Sequence, residues 1–302
     1  SRLMSRIMKI MGLNGSSFAP LLLGFGCSVP AILSTRRIET RSDRLVTIAV
    51  LPMMSCAGRL PIYMMFVSAL FPSRLQAPVL FGIYASGVLL ALCCARLLKN
   101  TLFKAPQRDS LHHMKRLRLP SLRKVGILMW SRAFMYVRKA GTFILGASII
   151  LWFLNTYPRP EEDTAPTNAA AMEHSYAGQI GHWMEPVTQV AGFDWKINSA
   201  LVGAFAAKEI FVTQMGILYA VEDGNSAPAA QQTLNARLKA SYTPLQGISI
   251  MIFCLIALPC IGTVTVAKRE AGTWWFALAQ FGGLTLLGFA TATLIYQAGL
   301  LL

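Results

Sequence analysis

The chain alternates long apolar runs with short charged stretches. The runs cover 18–35, 45–71, 77–98, 141–157, 197–219, 244–267 and 273–302. About 20 apolar residues suffice to cross a bilayer as a helix, so the pattern predicts an all-α polytopic membrane protein. Four of the runs are interrupted. Gly24, Gly26, Cys27 and Pro30 lie in the first, which reads as a re-entrant hairpin or a pair of half-helices. The run 45–71 breaks near its middle, at MMSCAGRLP, and carries Arg59 there. Lys208 and Glu209 interrupt 197–219, and a Pro-Cys break at ALPCIG divides 244–267. Proline lacks a backbone donor and clashes with the preceding turn. A helix broken at membrane depth is tolerated only where protein or a water-filled cavity covers its freed backbone groups, and in transporters such segments point to the binding site.

The order is repeated. A broken segment precedes a span with a Pro/Cys break at 18–71 and again at 197–267, and the flanking charges run the two in opposite directions. That predicts two inverted gate-type repeats. The domains are then 1–98, the first repeat and a following span; 99–139, a basic cytoplasmic segment; and 140–302, the second repeat and a terminal span, with an external loop over about 156–194. Ser1–Met11 reads as the cytoplasmic end of a helix. The basic, amphipathic stretch Leu119–Lys139 lies on the cytoplasmic surface or enters the next span obliquely. Ser175–Val190 reads as a short surface helix and Glu222–Lys239 as polar and extramembrane.

Composition agrees with a membrane protein: 54% hydrophobic, 14% charged, mean hydropathy +0.50, against about 25% charged in soluble domains. The net charge of +15 would suggest nucleic acid in a soluble chain, but the charges are segregated. Twelve Lys/Arg and one acid lie between Arg96 and Lys139, and six acids and one Arg between Thr156 and Asp194. The basic side is cytoplasmic by the positive-inside rule; membrane lipid, not nucleic acid, is the expected surroundings. No signal-peptide pattern is present, and the chain reads as a fragment or processed form.

All six cysteines lie in apolar segments, so a disulfide framework is not expected. Cys27, Cys56 and Cys260 stand beside helix breaks. Thiolates bind iron, zinc and copper(I) rather than magnesium or calcium. Two or three sulfurs with backbone carbonyls, Ser55 and water would release an ion more readily than a four-thiolate structural site. Cys93, Cys94 and Cys254 read as packing residues. Glu209 reads as a metal ligand, a proton carrier, or the ion-pair partner of Lys208 or Arg59, since an intramembrane acid is functional by default, or else as a residue at the membrane interface. Arg59 needs a partner inside the bilayer or else snorkels to an interface. Met53, Met54 and Met215 read as core filler. His112, His113, His174 and His182 lie outside the apolar segments.

GFGCSVPAILSTRRIETRSDRLVTI, followed by LPMMSCAGRLPIYMMFVSALFP, resembles the membrane domain of bacterial ferrous iron transport protein B (FeoB). FDWKINSALVGAFAAKEIFVTQMGILY and LPCIGTVTVAKREAGTWWFALAQ resemble the family's second gate segment and following span. The resemblance runs from about Arg2 to Gln297. It implies a C-terminal portion of such a transporter, since no G-x-x-x-x-G-K-S/T phosphate loop occurs in the chain. It further implies Fe²⁺ transport through the bacterial inner membrane, with Cys27, Cys56 and Cys260 lining the iron path. GTP and Mg²⁺ would act only through a GTP-binding domain absent from this chain. Small cytoplasmic Feo accessory proteins are implied partners, a homo-oligomer stays open, and neither a permanently bound cofactor nor enzyme activity is expected in this portion. Two rival readings remain: a transporter of an organic solute such as a nucleoside, and a non-transporting scaffold in which Cys27 and Cys56 lie apart.

Overall fold

A computed structural model describes residues 8, 12–103, 121–158, 173–219 and 227–301. Most of the expected helix end at Ser1–Met11, the basic residues 104–120 with His112 and His113, and 159–172 of the expected external loop lie outside these. Among the described residues every regular element is helical. The first interrupted run forms α1 (Phe18–Gly24) and α2 (Ser28–Ser34). The second forms α3 (Arg41–Val50) and α4 (Leu60–Leu70), separated by two 3-10 turns, Leu51–Met53 and Ala57–Arg59. The long helices α5 (Ser73–Thr101) and α6 (Leu122–Thr156) follow, then the short α7 (Tyr176–Thr188). The third interrupted run gives α8 (Trp195–Ala206) and α9 (Lys208–Tyr219). After α10 (Ala227–Ser241), the fourth gives α11 (Pro244–Ile256) and α12 (Ile261–Ala271), and α13 (Trp274–Leu300) closes the chain.

The prolines explain where the half-helices begin. Pro30, Pro61 and Pro244 each lie in the first turn of a helix, where the missing N–H would have had no intrahelical partner. Among the described residues, four segments are long and apolar enough to cross a membrane: Arg41–Leu70, Ser73–Thr101, Pro244–Ala271 and Trp274–Leu300. The protein is thus a multi-pass, all-α membrane protein.

The halves of the two repeats pack by exchange. α2 of the first repeat lies against α12 of the second, and α9 of the second lies against α4 of the first. Phe66 on α4 meets Phe211 on α9 with ring centroids 6.1 Å apart, and both side chains are fully buried. α13 covers the fourth break: a Cβ on Gly288 would stand 2.7 Å from the Ala257 Cβ. It is tied to the first repeat by Gln280, whose Nε2 donates to the Ile48 carbonyl at 2.7 Å.

From Leu122 the basic stretch is continuous with the expected outward span through Thr156, which fits its entering that span. The described part of the polar stretch ending at Lys239 lies in helix α10. α10 packs on α4, and its Leu238 is fully buried.

Candidate functional site

The four breaks supply the candidate site. In three of them a cysteine is the extended residue that restarts the helical chain: Cys27 (φ −155°, ψ 130°) before α2, Cys260 (φ −60°, ψ 154°) before α12, and Cys56 (φ −74°, ψ 160°) before the 3-10 turn Ala57–Arg59 that leads into α4. Each is an N-cap, and in none does the side chain cap the helix. The cysteine carbonyls instead accept the first backbone bonds, from Ala31 at 3.3 Å, Arg59 at 3.0 Å and Thr263 at 2.8 Å. A helix N-terminus carries partial positive charge and favours a negatively charged group. At the remaining break the corresponding residue is Ala207, also extended (φ −147°, ψ 136°), followed by Lys208 and by Glu209 in the first turn.

The breaks meet in space. The Ala57 N–H donates to the Gly26 carbonyl at 3.1 Å, joining the residues next to Cys56 and Cys27. A Cβ on Gly24 would lie 3.0 Å from the Met54 Cβ, so the first break approaches the second with only glycine between. Across the repeats, the Gly262 Cβ position lies 3.5 Å from Val29 Cγ2 and 4.0 Å from Cys260 Sγ. Glu209 Oε1 sits 2.6 Å from the Gly58 Cβ position, which brings the third break onto the second. Cys260 Sγ also contacts Thr263 Oγ1 at 3.1 Å. At the fourth break Leu258 has φ 53°, a region costly for a bulky side chain.

These donors do not form a ready-made metal cluster. Among the described residues no group of three or more His, Cys, Asp or Glu is placed to hold an ion. Cys27, Cys56 and Cys260 are half-buried and Glu209 is exposed. Glu209 makes no ion pair with Lys208 or Arg59; among the described residues its carboxylate has no hydrogen-bond or ion-pair partner. Arg59 is buried, and its partners are the carbonyls of Pro52 (2.6 Å) and Met54 (3.4 Å), the groups freed by the break. Ser55 bonds Tyr63 at 3.1 Å, and Tyr84 packs edge-on to Tyr63 and stacks on Phe25 of the first break.

Cys254 was expected only to pack, six residues from Cys260 and on another helical face. It is buried, yet it lies within electrostatic reach of Lys208 and Tyr63. Its burial in the apolar core is that of a packing residue, and the chain turns at Leu258 between it and Cys260. Cys93 is exposed and Cys94 half-buried. Met53, Met54 and Met215 are core residues. His182 lies between Glu173 and Glu185 and stacks on Trp195 at 4.8 Å, remote in sequence from the breaks.

Two charge networks accompany the helices. In one, Arg36 binds Glu270 through Nε and Nη2, at 2.9 and 2.5 Å, and Glu270 holds that guanidinium firmly charged. Arg44 reaches the Glu270 carbonyl, while Lys99 pairs with Asp43 in a buried contact and donates to Ser42 at 3.2 Å. Near α8, Asp194 caps the helix through Ile197 N–H at 2.9 Å and accepts from the Tyr242 hydroxyl at 2.8 Å. Burial raises the Asp194 carboxyl above its usual range despite those two bonds.

Comparison with known proteins gives consistent matches. The Gate family model, described as nucleoside recognition, matches residues 1–70 and 137–274, and the model for the ferrous iron transport protein B C terminus matches 80–132. A fusion of Fe(2+) transport protein A with the Fe(2+) transporter FeoB from Porphyromonas gingivalis is 37% identical over 99% of this chain and 40% of its own length. Fe(2+) transporter FeoB from Campylobacter jejuni is 37% identical over 92% of this chain and 46% of its own length. Its namesake from Leptospira biflexa is 35% identical over the whole chain and 45% of its own length. The chain therefore spans less than half of these curated relatives. No solved structure matches it significantly.

Proposed function

The chain belongs to the ferrous iron transport protein B (FeoB) family, as its C-terminal membrane portion, and from that premise we propose that it carries Fe²⁺ through the bacterial inner membrane into the cytoplasm. The path runs between the two broken-helix repeats. Cys27, Cys56 and Cys260 supply sulfur, and Glu209 supplies oxygen. The observation that carries this reading is the common placement of the three thiols, each an extended N-cap at a break, two before a half-helix and Cys56 before the 3-10 turn leading into α4, with Glu209 in the first turn after the remaining break.

Sulfur with one carboxylate suits a transition-metal cation over Mg²⁺ or Ca²⁺. Conduction needs sites weak enough to be left, and donors that are not gathered into a closed cluster fit an ion in transit. This portion does no chemistry on its cargo. GTP with Mg²⁺ acts through a domain outside this chain and gates the path. Small cytoplasmic Feo proteins are its partners, a reading supported by the relative that fuses transport protein A to the transporter.

The test is anaerobic Fe²⁺ uptake by cells carrying the full-length parent at matched membrane expression. C27S, C56S and C260S should lose uptake while C93S keeps it. Equal uptake in all four variants would remove the thiols from the path. A second reading, transport of an organic solute, is favoured by the description of the Gate model as nucleoside recognition. It predicts nucleoside uptake that is insensitive to the same cysteine substitutions.

A further inference from the structure

One residue gathers the freed carbonyls of the second break. Between α3 and α4 the chain passes through two 3-10 turns, and Cys56 lies between them. Arg59 Nη1 donates to the Pro52 carbonyl at 2.6 Å and, more weakly, to the Met54 carbonyl at 3.4 Å. The Arg59 backbone N–H donates to the Cys56 carbonyl at 3.0 Å. Every second carbonyl from Pro52 to Cys56 is thus held by Arg59. The residue is 2% exposed, and among the described residues its side-chain partners are these carbonyls and no carboxylate.

An arginine inside a bilayer is costly and persists where it faces protein and pairs with an acid or with backbone carbonyls. Arg59 is the N-cap of α4, a positive helix end where a cation is unfavourable. Its side chain leaves that end and crosses to the carbonyls that follow α3. In a broken membrane helix such carbonyls are free to coordinate a small cation; here a tethered guanidinium has taken them. These bonds close a ring on the loop that carries Cys56. The loop is held again on either side of the thiol. The Ser55 hydroxyl bonds the Tyr63 hydroxyl at 3.1 Å, and the Ala57 N–H reaches the Gly26 carbonyl of the first break at 3.1 Å. Ser55 is buried, whereas Cys56 is half-buried.

We infer that Arg59 is the positioning residue of Cys56. Its guanidinium fixes the shape of the second break and keeps the Pro52 and Met54 oxygens for itself. With the Ser55 hydroxyl engaged by Tyr63, the Cys56 thiol is then the donor that this loop offers to an ion. Arg59 acts through Cys56 and does not touch the ion. The consequence for transport rests on the thiol-lined path proposed above; the placement of Cys56 rests on the bonds alone.

The experiment is alkylation of the purified full-length parent protein with N-ethylmaleimide, followed peptide by peptide by mass spectrometry. Cys260, on the other repeat and also half-buried, is the internal reference. R59M removes the donors at similar length, and R59K keeps a cation that can reach a carbonyl. In R59M the labelling rate of Cys56 relative to Cys260 should rise severalfold, and R59K should bring it back towards the wild type. If R59M does not fold, R59Q is judged by the same criterion. An unchanged or lower ratio in the neutral variant, or a ratio raised equally in R59K, overturns the positioning role. Labelling needs no transported ion, so it judges that role by itself. Anaerobic Fe²⁺ uptake by cells carrying the same variants should fall in R59M and recover in R59K. A raised ratio in R59M beside full uptake upholds the positioning role and removes Cys56 from the path.

Discussion

The Glu209 carboxylate rests on the bare face of Gly58, its Oε1 2.6 Å from where a Cβ on that glycine would stand. This contact joins the third break to the second. Glycine is required for close approach, not for a left-handed backbone, since Gly58 is not among the residues with positive φ.

Replacing Gly58 by alanine should therefore act on Glu209 and little else. The new methyl would meet Oε1 at 2.6 Å, whereas the Lys208 Cβ lies at an ordinary 3.5 Å. Only a movable carboxylate has to yield. G58A should keep its stability in detergent to within about 0.5 kcal/mol, while Fe²⁺ uptake falls severalfold towards that of E209Q. Full uptake in G58A beside lost uptake in E209Q would show that the carboxylate position is not set by this glycine.

The pair Asp43–Lys99 is buried at both ends, with side chains 1% and 8% exposed. Removing one partner strands the other. D43N should cost about 3–5 kcal/mol, and the double variant D43N/K99M should recover much of that loss. Thermal unfolding of the purified protein decides it; a double variant no more stable than D43N would contradict the pairing.

Glu270 should matter more than either arginine it binds. Its side chain is 3% exposed, whereas Arg36 is 53% and Arg44 31% exposed. E270A strips a buried acceptor and should lose about 1–3 kcal/mol. R36A should cost clearly less, because an exposed guanidinium is screened by water. The order of the two melting temperatures is the check, and a reversed order would rule this account out.

Asp194 provides a pH signature. Burial raises its folded-state pKa above the ordinary 3.8, so the native protein holds this proton where the unfolded chain has lost it. Stability from this group is therefore present at acid pH and declines as pH rises through the window from about 4 to the raised value. D194N keeps a capping acceptor and abolishes the titration. Its stability–pH curve should be flatter across that window, which chemical denaturation at a series of pH values would reveal; an unchanged slope would assign the dependence elsewhere.

Gly24, Gly26, Pro30 and the LPMMSC and LPCIG stretches located the breaks from the sequence, because proline and glycine act through the local backbone. The apolar runs likewise revealed the spans, since crossing a bilayer is a demand on length and hydropathy. What periodicity handles poorly is a helix after it has been interrupted. Cys254 and Cys260 looked like different faces of one helix, but Leu258 at φ 53° turns the chain between them. Similarly, Lys208 and Glu209 looked like candidate partners for each other or for Arg59, yet they diverge, one buried and one exposed.

The sequence by itself determined the class of protein, its family resemblance, the four breaks and the thiols beside them, all of which depend on local chemistry and composition. Only the tertiary structure decided that three thiols share an N-cap position, that α2 lies on α12 and α9 on α4, and that two cations are buried without a carboxylate. Those relations depend on which distant surfaces fit together as apolar area is buried, and close packing of that kind is set by the whole chain and not by any one segment.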